Sequence, residues 1–231
     1  MELKGKTVLV TGASRGLGRA CAIAFAKSGA QIVGTGRDAS ALAETAAALE
    51  ALGAQFQLAE IDVTDEAEVI GLVQSLDRID VLVNNAGIAR VAPLLDCSTD
   101  EVREIFNINV LGAFIVMREA ARKMADQGAG DIINIASDGA LRGLPRMSAY
   151  AASKHALLGL SRSARLELRP LGIRVLCVCP GAINTTILGE GVEGAINSES
   201  LAQLIVRLTE AHRDLVCSEL LVQSADLGMA M

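Results

Sequence analysis

The chain has almost no aromatic residues. Among its 231 residues there is no tryptophan, four phenylalanines and a single tyrosine, Tyr150. Base-stacking platforms for single-stranded nucleic acid need aromatic faces. A net charge of −6 also runs against a phosphate-neutralising surface, so no nucleic acid partner is expected. Four prolines exclude collagen-like and proline-rich architectures. A membrane-spanning helix needs about 18 consecutive apolar residues, whereas the longest apolar run is Ala20–Ala26. No basic amphipathic helix is evident either, so no membrane association is expected. The five cysteines (Cys21, Cys97, Cys177, Cys179 and Cys217) show no CxxC spacing and no Cys/His cluster. With only His155 and His212 besides, the chain offers neither a metal site nor a Ser/His/Asp triad. Met1–Lys6 leads into a strand without the apolar segment of a secretory signal. The expected setting is cytoplasmic, with the cysteines as reduced, buried thiols.

What the chain has is 51% hydrophobic residues and a regular alternation of patterns. Segments 7–10, 31–34, 55–61, 81–83, 131–135 and 174–179 are short β-branched runs, with a weaker seventh at 220–222. Most are apolar throughout, as in strands covered on both faces. Helical patterns lie between them at 18–28, 40–52, 65–76, 99–125 and 149–168; the fourth is long enough to be two helices in series. Repeated strand–helix–strand units predict an α/β fold: one doubly wound, Rossmann-type domain over residues 1–231, with a largely parallel seven-stranded sheet and helices on both faces. Ligands of such sheets bind beyond the carboxyl ends of the strands.

The informative residues follow those ends. After the first strand comes Thr11-Gly12-Ala13-Ser14-Arg15-Gly16-Leu17-Gly18, then a helix. Glycines there permit a tight turn and close backbone approach to a pyrophosphate, which the helix N-terminus favours. Tyr150 and Lys154 are four apart on a predicted helix and share a face. A phenol with a pKa near 10 is a poor base at neutral pH, and a neighbouring ammonium would lower it. Tyr150 can then exchange a proton with an alcohol or ketone oxygen, which the Ser137 hydroxyl can also hold.

These residues, with Asn85-Ala86-Gly87 after the fourth strand, Asn109 on the long helix, and Pro180-Gly181-Ala182-Ile183-Asn184-Thr185 after the sixth, resemble the short-chain dehydrogenase/reductase family. The likeness spans roughly residues 4–187 and includes members similar to 3-oxoacyl-acyl-carrier-protein reductases. It implies a catalytic set of Ser137, Tyr150, Lys154 and Asn109. Lys154 would also bind ribose hydroxyls, and Asn109 would anchor a water linking Lys154 to solvent. The implied cofactor residues are Gly12, Ser14, Arg15, Gly16, Leu17, Gly18, Arg37, Asp62, Val63, Asn85, Ala86, Gly87, Tyr150, Lys154, Pro180, Gly181, Ile183 and Thr185. Asp62 can alternatively help start a helix, and the neighbouring Asn84 is expected to brace adjacent strands. The implied reaction is hydride transfer between a nicotinamide and the carbon of a ketone or secondary alcohol. A dinucleotide-binding regulator or scaffold with little turnover is the alternative.

NAD sites place an acidic residue about 20 positions past the glycine-rich loop. In the family register that position is Gly36, followed by Arg37, and Arg15 can also approach a 2′-phosphate. The expected cofactor is therefore NADP, with NAD less favoured. Asp38 is the counter-argument, unless it serves as an N-cap. The resemblance weakens after Thr185. Residues 186–197 read as a short substrate lid. A homo-oligomer, dimer or tetramer, is implied, but residues 221–225 lack the paired glycines usual in the tail, which puts the tetramer in question. His212 is assigned to a late amphipathic helix without a partner.

Overall fold

The computed structural model describes residues 2–185, 194–212, 214–215 and 217–225. The strands are β1 (Thr7–Thr11), β2 (Gln31–Gly36), β3 (Phe56–Glu60), β4 (Val81–Asn84), β5 (Gly130–Ile135), β6 (Ile173–Pro180) and β7 (Glu219–Val222). They form one seven-stranded sheet in the order β3-β2-β1-β4-β5-β6-β7. Every neighbouring pair is parallel, not merely most of them. The chain starts mid-sheet, winds to one edge, returns beside β1 as β4 and winds to the other edge. The β1/β4 junction is therefore the switch point at which such sheets open a crevice.

The helices are α1 (Gly16–Lys27), α2 (Ala39–Ala51), α3 (Glu66–Ser75), α4 (Thr99–Phe106), α5 (Ala113–Gln127), α6 (Ser148–Leu168) and α7 (Ser198–Glu210). Successive strand residues point to opposite faces, so each strand feeds two cores. Val8 and Val10 of β1 pack with Leu17 and Phe25 of α1 and with Leu201 and Ile205 of α7. Leu9, between them, packs with Val69 and Leu72 of α3 and Ile115 and Met124 of α5. Leu157 and Leu158 of α6 close over Cys177 and Cys179 of β6. Phe25 is wholly buried, and truncating such a side chain to alanine costs roughly 3–5 kcal/mol.

Several expected boundaries move. The long helical stretch is two helices in series, as its length allowed, α4 and α5, joined by a π-helical turn over Asn107–Gly112. Helix α1 begins inside the glycine-rich loop, at Gly16 rather than Gly18. Helix α3 is capped by Asp65, whose carboxylate accepts from Ala67 N and Glu68 N, so Asp62 does not start it. Helix α7 ends at Glu210, and His212 lies beyond it with its Nδ1 2.6 Å from Asp214. Cys21, Cys177 and Cys179 are buried, but Cys97 is half-buried and Cys217 exposed, because both lie on loops outside the core. No helix among the described residues is long and apolar enough to cross a membrane. Most of the expected lid, residues 186–193, lies outside the described residues.

Candidate active site

A cavity of about 930 Å³ opens along the carboxyl ends of the strands. The loop from β1 into α1 forms its floor. Gly12 turns the chain with φ +66°, and α1 then passes so close that a Cβ on Gly18 would sit 2.1 Å from the Gly12 carbonyl oxygen. Only glycine allows that approach. Helix α1 has no side-chain cap and no acidic residue in its first turn, whereas Asp38, Asp65, Ser98 and Asn197 cap α2, α3, α4 and α7. An N-terminus left with free N–H groups beside a glycine cradle suits an anion such as a pyrophosphate. The residues therefore fit a dinucleotide.

The loop after β4 holds the cradle in place. Thr11 Oγ1 accepts from Asn85 N at 2.9 Å and from Ala86 N at 3.0 Å, and Asn85 Nδ2 donates to Thr11 O at 2.9 Å. Asn84 braces the sheet, donating to Ala113 O at 2.8 Å and to Asn134 Oδ1 at 3.0 Å. Gly12, Ser14, Arg15, Gly16 and Leu17 reach the cavity from the β1 side, and Asn85, Ala86 and Gly87 from β4. Pro180, Gly181, Ile183 and Thr185 reach it from β6. Gly18 does not line it, since its part is to let helix and loop meet.

At the far end stand Arg37, Asp38, Asp62 and Val63. A Cβ at Gly36 would come 3.1 Å from Ser14 Cβ and 3.4 Å from Leu42 Cδ2, which leaves little room for an acidic side chain. Asp38 accepts from Ala41 N at 3.0 Å as the α2 cap, and its other oxygen pairs with Arg15 at 2.5 Å. Arg37 is 54% exposed and only loosely paired with Asp62, at 3.5 Å. Asp62 is otherwise engaged by Thr64, whose backbone N–H and hydroxyl donate to it at 2.9 and 2.8 Å.

Ser137, Tyr150 and Lys154 meet at the opposite end. Ser137 follows β5, and Tyr150 and Lys154 lie one turn apart on α6. Lys154 is 5% exposed; its Nζ donates to Ile135 O at 2.9 Å and lies 5.7 Å from the Tyr150 ring centroid. Burial pushes its ammonium down to about 8. Burial also pushes the Tyr150 phenol above its ordinary value; hydrogen bonding with Ser137 opposes this and the charge of Asp138 adds to it. The expected depression by Lys154 is thus not what the protein alone produces: desolvation of the phenolate is the largest influence, and Ser137 rather than Lys154 opposes it. Asn109 is not in the lining. It sits on the π-helical turn, 1% exposed. Its amide is bonded in both directions to the Ile88 backbone, at 2.8 and 2.9 Å, and donates to Ser153 Oγ at 3.0 Å.

Among the cavity residues that escape motif reading, three carry polar groups next to the proposed chemistry or the cofactor cradle: Thr35, Asp138 and Arg142. Thr35 carries, among the described residues, the one buried side-chain oxygen without a hydrogen-bond partner. Asp138 and Arg142 line the cavity beside Ser137 as an ion pair. The i, i+4 spacing of that pair on a short turn was the only signal available.

A family model described as short chain dehydrogenase matches residues 6–195. The chain belongs to the short-chain dehydrogenase/reductase family. The chain is 36% identical over 203 residues to an uncharacterised oxidoreductase of Thermotoga maritima, covering 87% of the chain and 81% of the relative. It superposes with TM-score 0.88 and 29% identity on a protein from Beutenbergia cavernae solved with NADP, covering 96% of both chains. A Mycobacterium paratuberculosis family member bound to NAD gives TM-score 0.90 at 28% identity, covering 99% of this chain and 98% of the other.

Proposed function

We propose that this short-chain dehydrogenase is an NADP(H)-dependent oxidoreductase acting on a ketone or secondary alcohol, with Tyr150 as general acid and base. The observation that carries the reading is the convergence of Ser137, Tyr150 and Lys154 at one end of a cavity whose other end is an uncapped helix N-terminus on a glycine cradle. A nicotinamide dinucleotide bound along this cavity supplies the hydride.

The chain's own residues supply the rest. The α1 N-terminus and the Gly12–Gly18 loop bind the pyrophosphate. Ser137 Oγ hydrogen-bonds the substrate oxygen and fixes its distance from Tyr150 Oη. Tyr150, half-buried and with its phenol pushed above the ordinary value by desolvation, donates its proton to that oxygen as negative charge develops in reduction. In the alcohol-oxidising direction the phenolate takes the proton back. Lys154 holds the ribose hydroxyls, and its charge stabilises the phenolate once formed. Asn109 supports the loop at Ile88 that carries Asn85–Gly87.

Three features support NADP over NAD. Gly36 stands where an NAD-selecting acid would stand, Asp38 is committed to the α2 cap and to Arg15, and Arg37 is exposed at the same end. The solved relatives include one bound to NADP and one bound to NAD, so this chain's own residues carry the preference. The test is a panel of ketones and secondary alcohols followed by NADPH and NADH absorbance, with Tyr150→Phe in parallel. Turnover with NADPH that is lost in Tyr150→Phe supports the reading; wild-type turnover in that variant overturns it.

A further inference from the structure

Ser137 has one hydroxyl proton and two tasks. Its Oγ accepts from Gly139 N at 3.1 Å, which fixes the side-chain rotamer as the cap of the short 3₁₀ turn Asp138–Ala140. Its proton goes to Asp138 Oδ1 at 3.1 Å. Asp138 is itself held. Arg142 Nε and a terminal guanidinium nitrogen donate to Asp138 Oδ2 at 3.0 and 2.6 Å. Asp138 is only 7% exposed, whereas the Arg142 side chain is 54% exposed at the cavity mouth. A carboxylate is thus sequestered against the hydroxyl proposed to hold the substrate oxygen, with its charge partly answered from the solvent side.

We infer that Asp138, clamped by Arg142, is a positioning residue for the reaction: it holds the Ser137 proton until a substrate oxygen competes for it, and it sets a negative charge beside the Tyr150 phenol. The inference rests on the acid–base reading of Tyr150 given above. Its first part follows from hydrogen-bond arithmetic. A hydroxyl donates once, so Ser137 can donate to the substrate only by leaving Asp138. The second part follows from charge. Asp138 and Tyr150 line the same cavity, and Asp138 is one hydrogen bond from Ser137 between the same walls; a nearby carboxylate disfavours phenolate, and the Asp138 charge acts on Tyr150 in that direction. The Asp138 carboxylate therefore biases Tyr150 to its proton-bearing form, which is the form that carbonyl reduction consumes, and Arg142 moderates that bias. The other charged groups at this end are Lys154 from α6 and Arg90 from the loop after β4. Arg90 is paired with Glu104 of α4 at 3.2 Å.

Tyr150 is the only tyrosine and tryptophan is absent, so near-ultraviolet absorbance of the full chain titrates this phenol directly and needs no turnover. Asp138→Asn keeps the shape and the acceptor oxygen but removes the charge, and should lower the titration midpoint by roughly half a pH unit or more. Arg142→Gln leaves Asp138 charged and unclamped, and should raise the midpoint; Arg142→Lys should return it towards wild type. In carbonyl reduction, which needs the protonated phenol, the alkaline limb of the rate profile should move the same way in each variant. Opposite shifts in Asp138→Asn and Arg142→Gln support the assignment, because loss of packing alone would not reverse sign between them. An unchanged midpoint in Asp138→Asn, or shifts of the same sign, overturns it. Equal turnover in wild type and Tyr150→Phe would instead overturn the acid–base reading, and the absorbance titration separates the two failures.

Discussion

Lys154→Met should make the protein more stable at neutral pH while removing its turnover. Lys154 is 5% exposed, and its one hydrogen bond in the structure goes to a neutral acceptor, Ile135 O. Burial takes its pKa from 10.5 to about 8. At about 1.36 kcal/mol per pKa unit, keeping the folded ammonium buried at pH 7 costs on the order of 3 kcal/mol. Methionine fills nearly the same space without the charge but leaves Ile135 O unpaired, which returns roughly 1–2 kcal/mol of that gain. The net stabilisation is about 1–2 kcal/mol, or about 3–6 °C in Tm for a chain of this size. The sign reverses with pH in a defined window. Between about pH 8 and 10.5 the unfolded chain holds a proton that the folded chain has released, so wild-type stability gains as pH rises. The gap between variant and wild type should close and then reverse across that window, leaving wild type the more stable at its upper end. Urea unfolding of cofactor-free protein at both ends of the window measures it. A Lys154→Met variant less stable than wild type at pH 7, or a gap that does not change with pH, would refute the reasoning.

Tyr150→Phe should lower kcat by about 10²–10⁴-fold, the usual weight of one general acid–base group, with the Kd for NADPH little changed by fluorescence titration. Arg37→Ala should weaken NADPH by roughly 10–100-fold, the worth of a charge-assisted contact of about 1.5–3 kcal/mol, and leave NADH nearly untouched; equal losses would remove Arg37 from the phosphate. Gly18→Ala should cost about 1–3 kcal/mol as an overpacked contact, because its Cβ would lie 2.1 Å from Gly12 O, and a variant melting with wild type would show that helix and loop are not so closely apposed.

Much of this molecule is legible in the linear chain because its signals are local. Val8-Leu9-Val10 announces a strand covered on both faces, and the two cores divide it accordingly. Gly12, Gly16 and Gly18 mark a turn that the backbone then requires. The order of motifs brings Ser137, Tyr150 and Lys154 to one cavity although seventeen positions separate the first from the last in sequence. Other features are not local. Asp38 serves two partners at once, Ala41 N and Arg15, and the second is 23 positions away. The π-helical turn at Asn107–Gly112 has no composition of its own. It places Asn109 against Ile88 and Ser153.

Composition, period and spacing by themselves determined the α/β class and the alternation of strands and helices along the chain, and the resemblance of motifs to the short-chain dehydrogenase/reductase family picked out the residues at the strand ends. These depend on backbone sterics and on the burial of apolar faces, which each segment carries within itself. Only the tertiary structure decided the electrostatics of the one tyrosine. Its phenol is pushed up, not down, because desolvation and the Asp138 carboxylate are properties of the assembled cavity. A neighbouring lysine four positions away is visible in sequence; the dielectric around both, and the third charge that completes the set, exist only once β5, α6 and the turn between them are packed together.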